Sequence, residues 1–398
     1  MNNSEHPPAG PPKRHIWNDP RVRAVAFQIV ALLAVFWMGW TLVDNTLANM
    51  AARGINTGFD FLDLPADFGI LFTLIPYNPS MSYLRVFWVG IVNTLMVSAI
   101  GIVLATILGF IIGIARLSGN WLVAKLAQAY IEIFRNIPLL LQIFFWYFFV
   151  IRSLPSVSQS ISIGGLFFLN NRGIYMPRPD AEAGFQFVLL AIIVAVAWLV
   201  IWSMFVRWQQ NRTGRRLPVF WPNVIVFLGL PLVVFLLLGA PLHWSVPILK
   251  AFNFAGGMTV LPEFGALLFA LTMYTAAFIA EAVRSGILSV SKGQTEAAQA
   301  LGLRPRRTLR LIVIPQAMRV IIPQLTSQYL NLTKNSSLAT AIGYPDLVAL
   351  FMGTTLNQTG QAVEVIAMTM AVYLVISLLI SLGMNIYNRA VSLQEGRA

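Results

Sequence analysis

Apolar residues run through this chain in long blocks rather than in amphipathic stripes. Eight stretches stand out: Ala24 to Val43, Phe87 to Ala115, Leu126 to Val150, Gln186 to Val206, Val224 to Gly239, Phe264 to Val283, Ile321 to Gly343 and Val363 to Tyr387. An α-helix needs about 20 such residues to cross a hydrocarbon core of about 30 Å. The fifth stretch is short and holds Pro231, and the seventh is the least apolar. Two long connections, Asp60 to Pro79 and Pro155 to Asp180, carry Pro, Gly and Ser, and are expected to lie as interfacial segments without a core of their own. The pattern predicts an all-α polytopic membrane protein of about eight transmembrane helices. A polar, proline-rich tail over 1–23, expected to be disordered, precedes the first of them. It is long for a signal-peptide leader, so the first helix is expected to be a retained anchor.

Composition agrees with this picture. With 57% hydrophobic and 11% charged residues and a mean hydropathy of +0.72, a 398-residue chain has too few polar groups to cover a soluble globule. The net charge of +12 acquires meaning from its placement. With the N-terminus inside, 19 Lys and Arg residues fall on the inner side and six on the outer; Arg135 and Lys334 fall within predicted spans. That asymmetry is the positive-inside signature, so both termini are expected in the cytoplasm and no nucleic-acid partner is needed to explain the charge. The chain contains no cysteine, which excludes disulfides and thiolate metal sites.

Enzymatic signatures are missing. There is no Gly-rich phosphate loop ending in Lys-Ser/Thr, no Ser in a nucleophile elbow and no carboxylate cluster with metal-ligand spacing. His6, His15 and His243 are far apart in sequence. The chain is therefore expected to hold no catalytic site, metal or cofactor.

One inner segment, 285–320, departs from simple connectivity. A helix is expected from Gly286 to Leu301, and Gly302 then falls where a helix end needs positive φ. Pro305 suits the first turn of a second short helix. Ala297, Ala298 and Ala300 would form one small-residue surface for close approach of a partner. Gln294, Glu296, Arg304, Arg306, Arg307 and Arg310 surround it with polar and charged groups. Such a rigid elbow can transmit a push, whereas an ordinary amphipathic linker could not.

Ionisable groups within spans are costly, by about 2.5 to 3.5 kcal/mol at the helix centre, and call for a reason. Glu132 and Arg135 sit three apart and can pair, as a gate or substrate-facing element of the path or as a structural ion pair holding the helix to its neighbour, and Pro138 frees the carbonyl of Phe134. Lys334, Asn335, Ser336 and Ser337 should face the bundle interior, where with Gln142 they could line a path for a zwitterion or act as helix–helix glue. Glu281 and Arg284 form a second three-apart pair, expected to be structural, and Asn93 and Thr94 can polarise the start of the second span.

The run KGQTEAAQALGL from Lys292 to Leu303, continued by Ile312, Pro315, Arg319 and Pro323, resembles the polar-amino-acid branch of ABC importer permeases. Asn93 to Leu95, Arg116 to Ser118, Tyr130 to Gln142 and Lys334 to Leu338 extend the match over most of 87–390. The first span and an inserted hairpin at about 155–255 resemble the general L-amino-acid subgroup. Asn136-Ile137 and Asn335-Ser336 depart from the commoner Gly-Thr and acidic-Thr pairs at those places. The resemblance implies a type I permease fold in the bacterial inner membrane and import of glutamate, glutamine, aspartate, asparagine or a broader set. It also implies, besides membrane lipid, a second homologous permease, two copies of a cytoplasmic ATPase that binds ATP and Mg, and a periplasmic binding protein. The segment at 285–320, Ile312 and Pro315 among its residues, would couple to the ATPase. An ion-gradient transporter acting alone is the alternative.

Overall fold

The computed structural model describes residues 20–52, 57–214, 217–250 and 253–392. Residues 1–19, most of the expected tail, lie outside the described residues. Helix α1 (Pro20–Ala52) starts at Pro20, so the end of that tail is already helical. Its apolar side chains, Phe27 and Trp37 among them, are exposed. After a short 3-10 turn at Asp60–Asp63 comes α2 (Tyr83–Arg116). Contrary to expectation, the connection Asp60 to Pro79 is not without a core: Phe61 and Ala66 are buried with Tyr83, Val86 and Phe351.

Helices α3 (Trp121–Asn136) and α4 (Leu139–Ser153) meet at 105°. The straight third span expected from Leu126 to Val150 is therefore corrected to a bent pair. Pro138 has no N–H to give the preceding turn, and the side chain of Gln142 substitutes for it. Its Nε2 donates to the carbonyls of Phe134 (3.0 Å) and Ile137 (2.9 Å). Asn120 starts α3 by accepting from the N–H groups of Leu122 and Val123.

The second long connection forms β structure that the sequence does not predict. Strands β1 (Ile161–Ile163), β2 (Phe167–Asn170), β3 (Gly173–Met176) and β4 (Arg178–Ala181) precede α5 (Phe185–Thr213) and α6 (Phe220–Leu237). Strands β5 (Leu242–Ser245), β6 (Ile248–Lys250), β7 (Asn253–Ala255) and β8 (Met258–Val260) follow. The sheet order is β1-β2-β3-β8, with β4-β5 and β6-β7 as separate antiparallel pairs. The rings of Tyr175 on β3 and Phe254 on β7 lie tilted against each other, centroids 4.6 Å apart, and join two of these sheets.

Helix α7 (Pro262–Leu288) leaves β8 directly. Helices α8 (Lys292–Ala300) and α9 (Pro305–Thr308) then lead through a π-helical turn at Leu309–Val313 into α10 (Ile314–Asn335). A 3-10 stretch (Ser336–Ile342), a π-helical stretch (Val348–Thr355), α11 (Leu356–Thr359) and α12 (Ala362–Ser392) complete the chain. Seven of the described helical segments are long and apolar enough to cross a membrane, and the bent pair makes eight.

Direction follows from pairing. Gly101, Ala105, Gly109 and Gly113 repeat every fourth residue on α2 and are buried. They let α7 approach closely, with Gly109 against Ile279 and Gly113 against Ala280 and Val283. Helices α2 and α7 are thus parallel. Because β3 pairs with β8, α4 exits at the same end where α7 enters, so the bent α3–α4 pair carries the chain across once. Helix α10 runs antiparallel to both: Gly101 meets Leu332 and Thr106 bonds Tyr329.

Candidate functional site

Two polar constructions sit at the arginine-rich end of the bundle. The first is the segment between α7 and α10. Helix α7 stops at Leu288 and α8 begins at Lys292, so the single helix expected from Gly286 to Leu301 is interrupted at residues 289–291. The end of α8 is as expected. Gly302 has φ +74°, its N–H bonds the carbonyl of Gln299 (2.9 Å) and the Leu303 N–H bonds that of Ala298 (3.0 Å). These two bonds form a Schellman motif, which satisfies the carbonyls at a helix end and reverses the chain.

Pro305 then opens α9. The second arm of the elbow is not a short helix, however. It is the base of the long helical run from Pro305 to Ile342, with Ile312 in the π turn and Pro315 in the first turn of α10. A proline at 315 cannot donate to the preceding turn, a sufficient cause for the wider π spacing just before it. The small-residue surface also needs correction. Ala298 is buried within the chain, at 1% exposure, while Gln294, Glu296, Ala297 and Ala300 are exposed together with Arg304, Arg306, Arg307 and Arg310.

The second construction is a cleft of about 240 Å³ lined by Arg116, Gln128, Ile131, Glu132, Arg135, Glu281 and Arg284. It unites the two pairs singled out in the sequence with the last residue of α2. Arg284 grips Glu281 with two bonds, Nη2 to Oε1 at 2.6 Å and Nε to Oε2 at 2.9 Å. The expected Glu132–Arg135 pair does not form. Glu132 accepts from Gln128 Nε2 at 2.7 Å, and the Arg135 guanidinium lies over the Phe278 ring, 5.1 Å from its centroid. The reason is geometric: the i, i+3 spacing permits a contact, but Phe278 on α7 offers Arg135 a face to cover. The cleft consequently displays both signs of charge, as recognition of a zwitterion requires.

Lys334, Asn335, Ser336 and Ser337 stand where α10 gives way to 3-10 helix. Lys334 and Ser337 line a cavity of about 440 Å³ with Thr369, Tyr373 and Ser377 of α12. Lys334 is exposed, whereas Ser336 is buried and bonds the Thr333 carbonyl at 2.7 Å. Gln142 does not join them: its amide donors are spent on the α3–α4 bend.

The chain beyond Ser336 is held by residues to which the sequence gave little weight. Asn93 and Thr94, both fully buried, pin it to α2. Asn93 Nδ2 donates to the carbonyls of Pro345 (2.8 Å) and Phe72 (3.1 Å), and Thr94 Oγ1 accepts from the Leu347 N–H (3.0 Å). Asp346, unremarked in the sequence, accepts from the Ala349 N–H (2.8 Å) and the Tyr373 hydroxyl (3.5 Å). Irregular backbone at membrane depth is tolerated only where protein buries it or a cavity adjoins it, and here both hold. The signal was present in the Gly343-Tyr344-Pro345-Asp346 run, which punctuates an apolar block. No group of three or more His, Asp or Glu residues capable of holding a metal occurs among the described residues.

Comparison with known proteins places this architecture. Residues 211–393 match the family described as binding-protein-dependent transport system inner membrane component. The chain is 57% identical, over 95% of its length and 96% of the relative's, to the putative amino-acid ABC transporter permease protein YhdX of Escherichia coli (strain K12). It is 48% identical to the general L-amino acid transport system permease protein AapQ of Rhizobium johnstonii, covering 95% of this chain and 94% of that one. It is 42% identical to the glutamate/glutamine/aspartate/asparagine transport system permease protein BztB of Rhodobacter capsulatus, covering 98% and 99%. These likenesses, spanning nearly the whole of each sequence, show that the chain belongs to the amino-acid ABC transporter permeases, multi-pass membrane subunits of that transport system.

Proposed function

We propose that this chain is the membrane-crossing subunit of an importer for polar L-amino acids, such as glutamate, glutamine, aspartate and asparagine. The observation that carries the reading is the Gly302 elbow: α8 is locked at a fixed angle to the base of the helix that bears Lys334. Displacement of α8 by a cytoplasmic ATPase would move α10 as a lever. ATP and Mg belong to that ATPase. The positive-inside asymmetry supports a cytoplasmic location for the elbow and for both termini in a bacterial inner membrane. A second, similar permease would close the open side of the Lys334 cavity, and a periplasmic binding protein would deliver substrate to the sheet-bearing end.

The mixed-charge cleft is the proposed inner station of the path. Arg116 and Arg135 suit a substrate carboxylate, and Glu132 its ammonium. Because Glu281 already holds Arg284, that pair would frame the cleft. A state change driven by the ATPase moves substrate only if the two states bind it differently, and a cleft built from three helices α2, α3 and α7 can change when any one tilts.

The test is co-reconstitution of the full chain in proteoliposomes with its cognate permease, ATPase and binding protein. Uptake of labelled L-glutamate or L-glutamine should require internal ATP and persist with an uncoupler. Glu132→Gln should raise the KM for uptake with folded protein unchanged. Collapse of uptake on adding the uncoupler at constant ATP would instead favour an ion-gradient transporter.

A further inference from the structure

One cavity lined by described residues belongs to neither polar site. It has a volume of about 520 Å³, within the range of about 300–1,000 Å³ usual for small-molecule sites. It lies at the arginine-rich end between α2, α7 and α10, and Phe110, Ile114, Ile287, Leu309, Ile314 and Met318 are among its walls. Ser118 is the one polar residue lining it.

Two features indicate what such a space holds. First, its apolar walls cannot satisfy ordered water, which needs two to four polar partners. Second, its α10 wall continues toward the inner surface as charge. Arg306 lies three residues before Leu309, and Arg310 four before Ile314, so each sits about one helical turn nearer the surface on the side of a lining residue. Both arginines are exposed. Residues 284–319 contain a single acidic residue, Glu296, against seven Lys and Arg. An apolar cavity at acyl-chain depth with guanidinium groups beside it at headgroup depth has the shape of one amphiphile with an anionic head.

We propose that this cavity is a binding site for an anionic phospholipid of the inner leaflet, with an acyl chain between α2 and α10 and its phosphate on Arg306 and Arg310. Basic clusters flanking helices on the cytoplasmic side are a recurrent means of holding anionic headgroups. The position has a consequence: the cavity borders the π turn that joins the elbow to α10, so lipid occupancy would stiffen the joint through which α8 moves α10. This goes beyond the transport reading and stands if that reading fails, because it concerns binding to the isolated chain.

The test uses the purified full chain in nanodiscs doped with phosphatidylglycerol or phosphatidylcholine carrying a diazirine at mid-acyl depth, followed by peptide mapping. Phosphatidylglycerol should label peptides spanning 110–123 and 309–321. The double variant Arg306→Gln, Arg310→Gln should lower that labelling by at least about fivefold and bring it to the phosphatidylcholine level. Leu309→Trp, which fills the mouth from an exposed position, should abolish labelling by both lipids at these peptides. Should either variant lose its monodisperse profile, Met318→Phe narrows the cavity from further along the same wall. Equal labelling by the two lipids, or labelling that survives the filling variants, would overturn the proposal. Protection of the same peptides only when a second permease subunit is present would assign the cavity to that protein instead.

Discussion

Gly113 on α2 lies so close to Val283 on α7 that a Cβ built on the glycine would stand 2.8 Å from the Val283 Cβ and 2.7 Å from the Ala280 carbonyl oxygen. The two helices are in backbone contact at this point, so a side chain there must push them apart. Gly113→Val is expected to lower stability by about 1–3 kcal/mol, the usual cost of overpacking, read as a fall in the thermal midpoint in detergent. Gly119→Ala, with open space around it, is the matched control and should leave the midpoint nearly unchanged.

Asn93 is the clamp on the irregular segment after α10. Asn93→Leu keeps its size but leaves the carbonyls of Pro345 and Phe72 without their donor. A buried polar group left unpaired costs about 1–3 kcal/mol. The expected outcome is a lower thermal midpoint together with faster hydrogen exchange over 343–355, whereas a purely local defect would confine the exchange change to α2.

Gln142 and Pro138 should be coupled. Gln142→Leu removes the donor to Phe134 and Ile137, and Pro138→Ala supplies a backbone N–H that can serve the Phe134 carbonyl. In a double-mutant cycle the second change should recover part of the loss caused by the first, with a coupling energy of about 0.5–3 kcal/mol. Simple additivity would show that the amide does not act on the bend.

At Gly302 no neighbour lies within 4 Å of an added Cβ, so any penalty is conformational alone. Gly302→Val forces a β-branched residue to positive φ at a cost of about 1–2 kcal/mol, and should weaken the elbow. The reconstituted system is expected to retain ATP hydrolysis while losing uptake. Gly302→Asn, a residue tolerant of this region, should recover most of it.

Lys334→Met separates path from packing. Lys334 lines the open cavity with Tyr373 and Ser377, and Met conserves its apolar stem. Unchanged folded yield with a raised KM for L-glutamate uptake is the expected result. Loss of folded protein would assign the lysine to helix association.

Much of this was written in the sequence as block length and punctuation. Positive φ at Gly302, a first-turn proline at 305 and a freed carbonyl at Phe134 all follow from what glycine and proline cannot do, and each is found. The α3–α4 bend was less legible because a proline removes a bond without stating an angle; that depends on Gln142 finding the two carbonyls. Strands of three or four residues carry too little alternation to be seen, so the sequence shows no sign of the strands on either side of α5 and α6. Side-chain partners were the least legible. Whether Arg135 takes Glu132 or Phe278 is decided by α7, about 140 residues further along the chain.

The paired strands make the insertion self-sealing. Helices α5 and α6 leave from β4 and return through β5, which pair from Arg178–Ser245 to Ala181–Leu242, with the Glu182 N–H bonded to the Pro241 carbonyl beyond them. The rest of the insert is fastened at β3–β8, one residue before the turn into α7. The transport core thus meets about a hundred residues through a pair of hydrogen-bonded ends, and the length between those ends is free to change. Segments of different size could be exchanged at this suture without re-registering a helix of the core, which makes it the natural place for such a permease to acquire or discard a membrane hairpin.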